Sequence, residues 1–338
     1  MGQKADLKAA IEHVIDPSNQ KSLKDNDAIR FIDITDDQKV TLILGVFKID
    51  DDTKKQLNRA IAKIIKLDLG YEGLKITFEP LKKVGSIADL EKGIIYIGVA
   101  SGKGGVGKST VAANLAVALN RIGKKTALID ADIYGSSIPN LLDLPILLPS
   151  ADEDQKIIPF QAFDIEVMAT EFFLKDDQPL MWRGPMLGKM LNHFFYDVKW
   201  HPDTEFIVVD LPPGTGDVAM DIQKIIPACE MIVVTTPHPS AANIAMKAGF
   251  AAKQLEHNIL GVIENMHAYE IDGKKHHIFG QGGGQKVAEK LGVQLLVEIP
   301  IAQPEAHKGI YEMHEDIGVI YLGLANKLSK ILTLSHKK

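Results

Sequence analysis

The sequence predicts an α/β protein: a doubly wound, mostly parallel sheet over residues 94–338, preceded by a small α+β domain at 1–82 and a linker at 83–93. Three observations lead there. From Ile94 onward, short and nearly continuous apolar runs recur (IIYIGVA, TALID, FIVVD, MIVVTT, ILGVI, LLVEI), as strands covered on both faces require. Helical patterns separate several of these runs, which implies crossover connections and a parallel sheet. A glycine-rich turn follows the first run, at the carboxyl end of a strand where such sheets bind ligands.

In chain order, residues 5–15 read as a helix, and AIRFIDIT and KVTLILGVF as strands around a DDQ turn, with Val40, Leu42, Leu44 and Val46 alternating on one face. DDTKKQLNRAIAKIIKLD reads as a helix, because Leu57, Ile61, Ile64 and Ile65 keep helical spacing behind acidic residues that suit the positive end of the helix dipole. LKITFEP is a further strand. KKVGSIADLEKG reads as the connection to the large domain. There, STVAANLAVALNRIG places Val111, Leu115, Leu119 and Ile122 on one helical face, and VIYLGLANKLSKIL closes the fold as a helix.

Composition narrows the function classes. With 338 residues, 46% hydrophobic and 24% charged, the chain has the make-up of an ordinary globular protein with a large core. The net charge of −6 gives no general attraction to nucleic acid or anionic lipid. Up to residue 92 the chain holds 16 basic and 16 acidic side chains, so the whole deficit lies beyond it. One cysteine, Cys229, excludes an internal disulfide framework and fits a reducing, cytoplasmic setting. No apolar stretch reaches the ~18 residues of a membrane span.

The chemistry is concentrated in VASGKGGVGKST, residues 99–110. Gly102, Gly107, Lys108 and Ser109 satisfy G-x-x-x-x-G-K-[ST], with a strand before and a helix after. Glycines let the backbone curl so that its N–H groups face phosphate oxygens, and the helix start adds its dipole. In such a loop Lys108 reaches the β- and γ-phosphates of ATP and Ser109 ligates Mg²⁺. FIVVDLPPGTGD puts Asp210 at a strand end, the position of a Mg²⁺-holding carboxylate. LIDADIYG puts Asp130 and Asp132 after another strand; two residues apart in extended chain, they share a face. For either aspartate alone, a turn or helix cap is the competing reading.

KGGVGKST, DADIYGSSIP, MWRGPM and DLPPGTGD together resemble the Mrp/ApbC family of P-loop ATPases, iron–sulfur cluster carriers within the wider class of MinD, ParA and nitrogenase iron protein. The first 80 or so residues resemble, more weakly, a PaaD-like domain. The resemblance implies ATP and Mg²⁺ as cofactors and a homodimer closed around the nucleotide. It implies that Gly102, Lys103, Gly104, Gly105, Val106, Gly107, Lys108, Ser109 and Thr110 bind ATP, with Ser109, Asp130 and Asp210 around the metal. Lys103, the lysine in excess of the loop's own needs, would reach across to the partner's nucleotide, Asp132 would position the attacking water, and Asn265 would contact adenine. The implied partners are iron–sulfur apoproteins or scaffold proteins. Arg183, in MWRGPM, carries no physical assignment.

One segment departs from the family pattern. A C-x-x-C pair is expected after ENM, yet the chain reads ENMHAYEIDGKKHHIFGQGGG, with Ile271 and Lys274 at about those places. Cys229 reads as small buried packing. His267, His276 and His277, with Glu270 and Asp272, read as a solvated loop because no spacing fits a familiar ligand pattern. GQGGG at 280–284 reads as a flexible lead-in to the helix QKVAEKLG. The missing pair motivates an alternative function, a nucleotide-switched regulator of the SalA type acting on DNA or a protein. A kinase or transferase reading lacks any separate substrate-binding segment.

Overall fold

A computed structural model of the chain describes residues 3–26, 28–35, 37–80, 93–132, 135–173, 191, 193–214 and 229–335. The connection at 83–92, MWRGPM with Arg183, Ile133 and Tyr134, and the end of DLPPGTGD from residue 215 lie outside the described residues. The chain divides into two compact units, Met1–Gly85 and Ser86–Lys338.

In the first unit, α1 (Gln3–Ile11), two short paired strands β1 (Ile15–Asp16) and β2 (Lys21–Ser22), then β3 (Ile29–Ile34) and β4 (Lys39–Val46) lead to α2 (Asp51–Ala62). Asp50 caps α2 by accepting the Thr53 N–H at 2.8 Å. The predicted single helix changes character at Lys63–Asp68, which winds as a π-helical turn before β5 (Gly73–Pro80). β4 is central, antiparallel to β3 and parallel to β5. Val40, Leu42, Leu44 and Val46 are buried, as the alternation required, against Leu57, Ile61 and Ile65. The β1–β2 pair carries no periodic signal and was not legible in the sequence.

The second unit contains β6 (Ile95–Ser101), α3 (Lys108–Arg121), β7 (Thr126–Asp130), α4 (Ile138–Leu141), β8 (Phe160–Ala162), β9 (Ile165–Ala169), β10 (Phe206–Asp210), β11 (Glu230–Thr235), α5 (Pro239–Gln254), β12 (Asn258–Ile271), β13 (Lys274–His276), α6 (Gly283–Leu291), β14 (Gln294–Ile301) and α7 (Asp316–Ser335). Among the described residues these strands form one nine-stranded sheet in the order β13-β12-β11-β6-β10-β7-β9-β8, with β14 also on β12. Only β13 and β8 run antiparallel to their neighbours. Every residue of β6, β7, β9 and β10 is buried, which explains the nearly continuous apolar runs of β6, β7 and β10.

Each face of the sheet has its own core. Val111, Leu115 and Leu119 of α3 pack with Leu324, Leu328 and Leu332 of α7 on one side. Ala242, Ala245 and Ala252 of α5 pack with Val287 and Leu291 of α6 on the other. Leu115→Ala would cost about 2–5 kcal/mol through lost burial and the cavity left behind. Buried Asn114 ties α3 to the chain before α7: its Nδ2 donates to the Gly309 carbonyl at 2.7 Å, and its Oδ1 accepts the Tyr311 N–H at 3.0 Å.

Two sequence expectations are corrected here. The segment after ENM is not a solvated loop: β12 continues through Ile271 and turns into β13 as a hairpin. Within GQGGG, Gly283 and Gly284 form the first residues of α6 and serve close packing rather than flexibility. A Cβ at Gly283 would come 2.4 Å from the Pro237 carbonyl oxygen, and one at Gly284 2.6 Å from Glu264 Cβ.

Candidate functional site

β6 occupies the switch point of the sheet. The chain leaves it toward β7 on one side and later places β11 on the other, opening a crevice at its carboxyl end. Residues 102–107 turn there from β6 into α3. Gly105 (φ 79°) and Gly107 (φ 81°) adopt left-handed backbone, where a side chain is disfavoured. Gly107 is also the helix cap and supplies no side-chain acceptor, so no cap competes for the first N–H groups of α3. Gly102 is required for another reason: a Cβ there would lie 2.3 Å from the Ile244 backbone of α5.

Lys108 is buried beneath this loop. Its Nζ donates to Asp210 Oδ1 at 2.6 Å, lies 3.3 Å from Asp132 Oδ2, and is 3.4 Å from the Ser109 hydroxyl. Burial alone would lower the Lys108 pKa, but attraction to Asp210 and Asp132 outweighs it and the ammonium is held above its ordinary value. Asp210 goes up because burial disfavours its charge, opposed by Lys108 and Ser109. Its Oδ2 is buried without a hydrogen-bond partner among the described residues.

Asp130 is fully buried. Its Oδ1 accepts the Asp132 N–H at 3.0 Å, while Oδ2 accepts the Ser136 hydroxyl and the N–H groups of Ser137 and Ile138 at 2.9, 3.3 and 3.2 Å. Burial and the neighbouring Asp210 push it up to about 7. β7 ends at Asp130, so the extended-chain argument for a shared face stops there, and the two aspartates divide. Asp130 fastens the 136–138 segment, whereas Asp132 faces the lysine. Ser136, which also donates to Glu171 at 3.0 Å, had no sequence signal of its own.

Asn265 reaches the loop from β12. Its amide donates to the Val106 carbonyl at 2.9 Å, so it braces the loop, and a Cβ on Gly107 would come 2.1 Å from that amide. Lys103 is partly exposed and makes no ion pair among the described residues; its carbonyl accepts the Ser101 hydroxyl at 3.0 Å. Lys103, Gly104, Gly105 and Val106 line a cleft of about 180 Å³ together with Thr236, His238, Met266 and Phe279. The last four were not singled out in the sequence: Thr236 and His238 follow β11, Met266 lies within β12 and Phe279 follows β13, so no short window of sequence holds them together.

The residues fit a divalent cation. Two buried carboxylates, Asp132 and Asp210, face one ammonium with buried Asp130 behind them, and the Asp210 oxygen that lacks a partner among the described residues lies on the carboxylate that also interacts with Ser109. They do not offer a cradle for an iron–sulfur cluster. Cys229 is buried against Gly98 and Met231, and burial pushes its thiol far up. Ile271 and Lys274 stand exposed on the hairpin.

Comparison with known proteins places this geometry. The ParA family model, described as the NUBPL iron-transfer P-loop NTPase, matches residues 94–318. The chain belongs to this family. An iron–sulfur cluster carrier protein of Bacillus subtilis is 39% identical over 343 residues, spanning 96% of each chain. The carrier protein of Aquifex aeolicus is 42% identical over 247 residues, 70% of this chain and 67% of its own. Among solved structures, a nucleotide-binding protein of Archaeoglobus fulgidus in complex with ADP is 30% identical, with a TM-score of 0.56 over 70% of this chain and 89% of that one. The cell division ATPase MinD of Pyrococcus furiosus is 24% identical, with a TM-score of 0.54 over 70% of this chain and 99% of its own, a likeness of fold alone. No helix among the described residues is long and apolar enough to cross a membrane.

Proposed function

We propose that this chain is a Mg²⁺-dependent ATPase that works as a homodimer in the cytoplasm, with a role in iron–sulfur cluster assembly through apoprotein or scaffold partners. The observation that carries the ATPase reading is the Lys108 ammonium, held between Asp210 and Asp132 directly below an uncapped helix start. ATP phosphates would settle on the N–H groups of residues 102–110 and draw Lys108 toward them. Ser109 and Asp210 would hold Mg²⁺, which supplies charge neutralisation between the β- and γ-phosphates. Asp130 stands behind them and positions the 136–138 segment.

Asp132, released from Lys108 when the lysine turns to phosphate, would orient the attacking water. Lys103, partly exposed and unpaired among the described residues, is free to cross to a second copy and meet charge on the transferred phosphoryl, as an arginine finger does. Asn265, next to the cleft residue Met266, would border adenine while bracing the loop. The first unit stands as a PaaD-like domain ahead of the ATPase at 94–338.

Phosphate release with and without Mg²⁺ tests this reading. Turnover is expected to need Mg²⁺ and to vanish in Asp210→Asn; turnover unchanged in that variant would remove the proposed metal site.

A second reading is favoured by the enclosed Cys229 and the exposed Ile271 and Lys274. A cluster of the [4Fe–4S] type takes four thiolates, and two copies of this chain bring two, both buried. An ATP-switched regulator or adaptor of the SalA type needs no thiolate. Gel shift on DNA at fixed salt, with and without ATP, separates its DNA form, since nucleotide-independent or absent binding counts against it.

A further inference from the structure

Beside the cleft, two carboxylates and one imidazole converge on strands β12 and β14. Glu264 and Glu298 are register partners in this parallel ladder, so their carboxylates stand side by side on one face. Glu264 is fully buried, and Glu298 keeps 44% of its side chain exposed. His267 joins them although it lies three residues beyond Glu264, where a regular strand would turn it to the opposite face. The backbone bends to bring it round. Met266 adopts a left-handed φ of 58°, and the register with β14 slips between Asn265 and Tyr269.

The outcome is a tight cluster. His267 Nδ1 lies 2.6 Å from Glu264 Oε1 and 3.5 Å from Glu298 Oε1, and one ligand atom from each residue falls within 4.8 Å of the others. The second Glu264 oxygen accepts the Gly284 N–H, which fixes the carboxylate with Oε1 toward the histidine. His277 donates from Nδ1 to the His267 carbonyl at 3.2 Å, and its ring meets the His267 ring edge-on with centroids 5.2 Å apart. Among the described residues neither carboxylate has a lysine or arginine partner. Two adjacent carboxylates therefore face one imidazole, which balances at most one of them.

We propose that Glu264, His267 and Glu298 form a binding site for one divalent transition-metal ion of the iron, cobalt and zinc group. The ligand set of one imidazole nitrogen and two carboxylates suits these ions, and the imidazole disfavours magnesium and calcium. Ligand atoms around a tetrahedral ion of this kind lie about 3.4 Å apart. The His267–Glu298 separation already matches, and the His267–Glu264 pair has to open by roughly 0.8 Å from its hydrogen-bonded 2.6 Å. The ion neutralises both carboxylates, and the imidazole binds through Nδ1 with its proton on Nε2. The exposed side of Glu298 leaves a path for the ion and a position for water. Unlike an iron–sulfur cluster, the site needs no thiolate, and it lies one residue from Met266 in the nucleotide cleft.

This site does not rest on the ATPase reading, and its test uses nucleotide-free protein. The full-length chain, stripped with chelator, is titrated with Co²⁺ in millimolar Mg²⁺ and followed by visible absorption and metal analysis. One Co²⁺ per chain with a ligand-field band is expected. Glu298→Gln and His267→Gln should each weaken it at least about tenfold, while Asp210→Asn, in the phosphate site, leaves the band in place. No band in the wild type, or a band unchanged in both ligand variants, would overturn the proposal. Should His267→Gln fail to fold by circular dichroism, Glu298→Gln decides alone, because its carboxylate is half-exposed and the substitution is isosteric.

Discussion

The phosphate loop and the carboxyl end of β12 border the same cleft, and Asn265 joins them through the Val106 carbonyl. One is a stretch of consecutive residues whose work is done by backbone N–H groups. Its requirements are therefore glycines at fixed spacing and one lysine. The other is assembled from two strands and a kink, and its side chains meet only because Met266 takes a left-handed turn and β14 lies in one particular register. Sites made of backbone stay within a short window of sequence; sites made across strands depend on pairing that no window contains.

Substitutions in the loop test its half of the comparison. Lys108→Ala should have the largest effect, at least about a hundredfold loss of ATP affinity by calorimetry, since both the phosphate contact and the balance of three carboxylates disappear. Asp132→Ala should bind ATP and slow turnover by about 10²–10³-fold, leaving the nucleotide trapped, as rapid-quench analysis of bound ATP and ADP would show. Gly107→Ala should lower affinity by about tenfold and the melting temperature by several degrees, because its methyl meets the Asn265 amide in a backbone region that disfavours side chains.

The smallest effect concerns pH. Asp130 has a folded-state value of about 7, well above that of an unfolded aspartate, so the native chain holds this proton longer than the unfolded one. Its contribution to stability is therefore greatest below about pH 4 and falls as pH rises toward 7. Melting temperature plotted against pH should accordingly decline less steeply across that window in Asp130→Asn than in the nucleotide-free wild type.

Much of this architecture was legible in the sequence, for definable reasons. The apolar runs mark β6, β7, β10 and β11 because these strands are covered on both faces, and Val111, Leu115 and Leu119 mark the buried side of α3. Lys108, Asp132 and Asp210, far apart in the chain, converge because each lies at or beyond the carboxyl end of a central strand of one parallel sheet. Less was legible where tertiary pairing decides. The hairpin β12–β13 is polar and exposed at its tip, so it reads as loop, and β8 is only three residues long. The pairing of His267 with Glu264 and Glu298, rather than with Glu270 or Asp272, follows from the kink at Met266, and methionine carries no signal for left-handed backbone. The division of labour between Asp130 and Asp132 depends on where β7 ends, which the alternation of residues does not fix.

The central claim is that ATP is held between two copies of this chain, with Lys103 of each reaching the other's phosphates. Light scattering of the wild type and of Lys103→Ala, each with Mg²⁺ and a non-hydrolysable ATP analogue, tests it most directly. The account predicts a dimer mass for the wild type with analogue, and a monomer mass for Lys103→Ala that still binds the analogue. A variant that dimerises as fully as the wild type would contradict it.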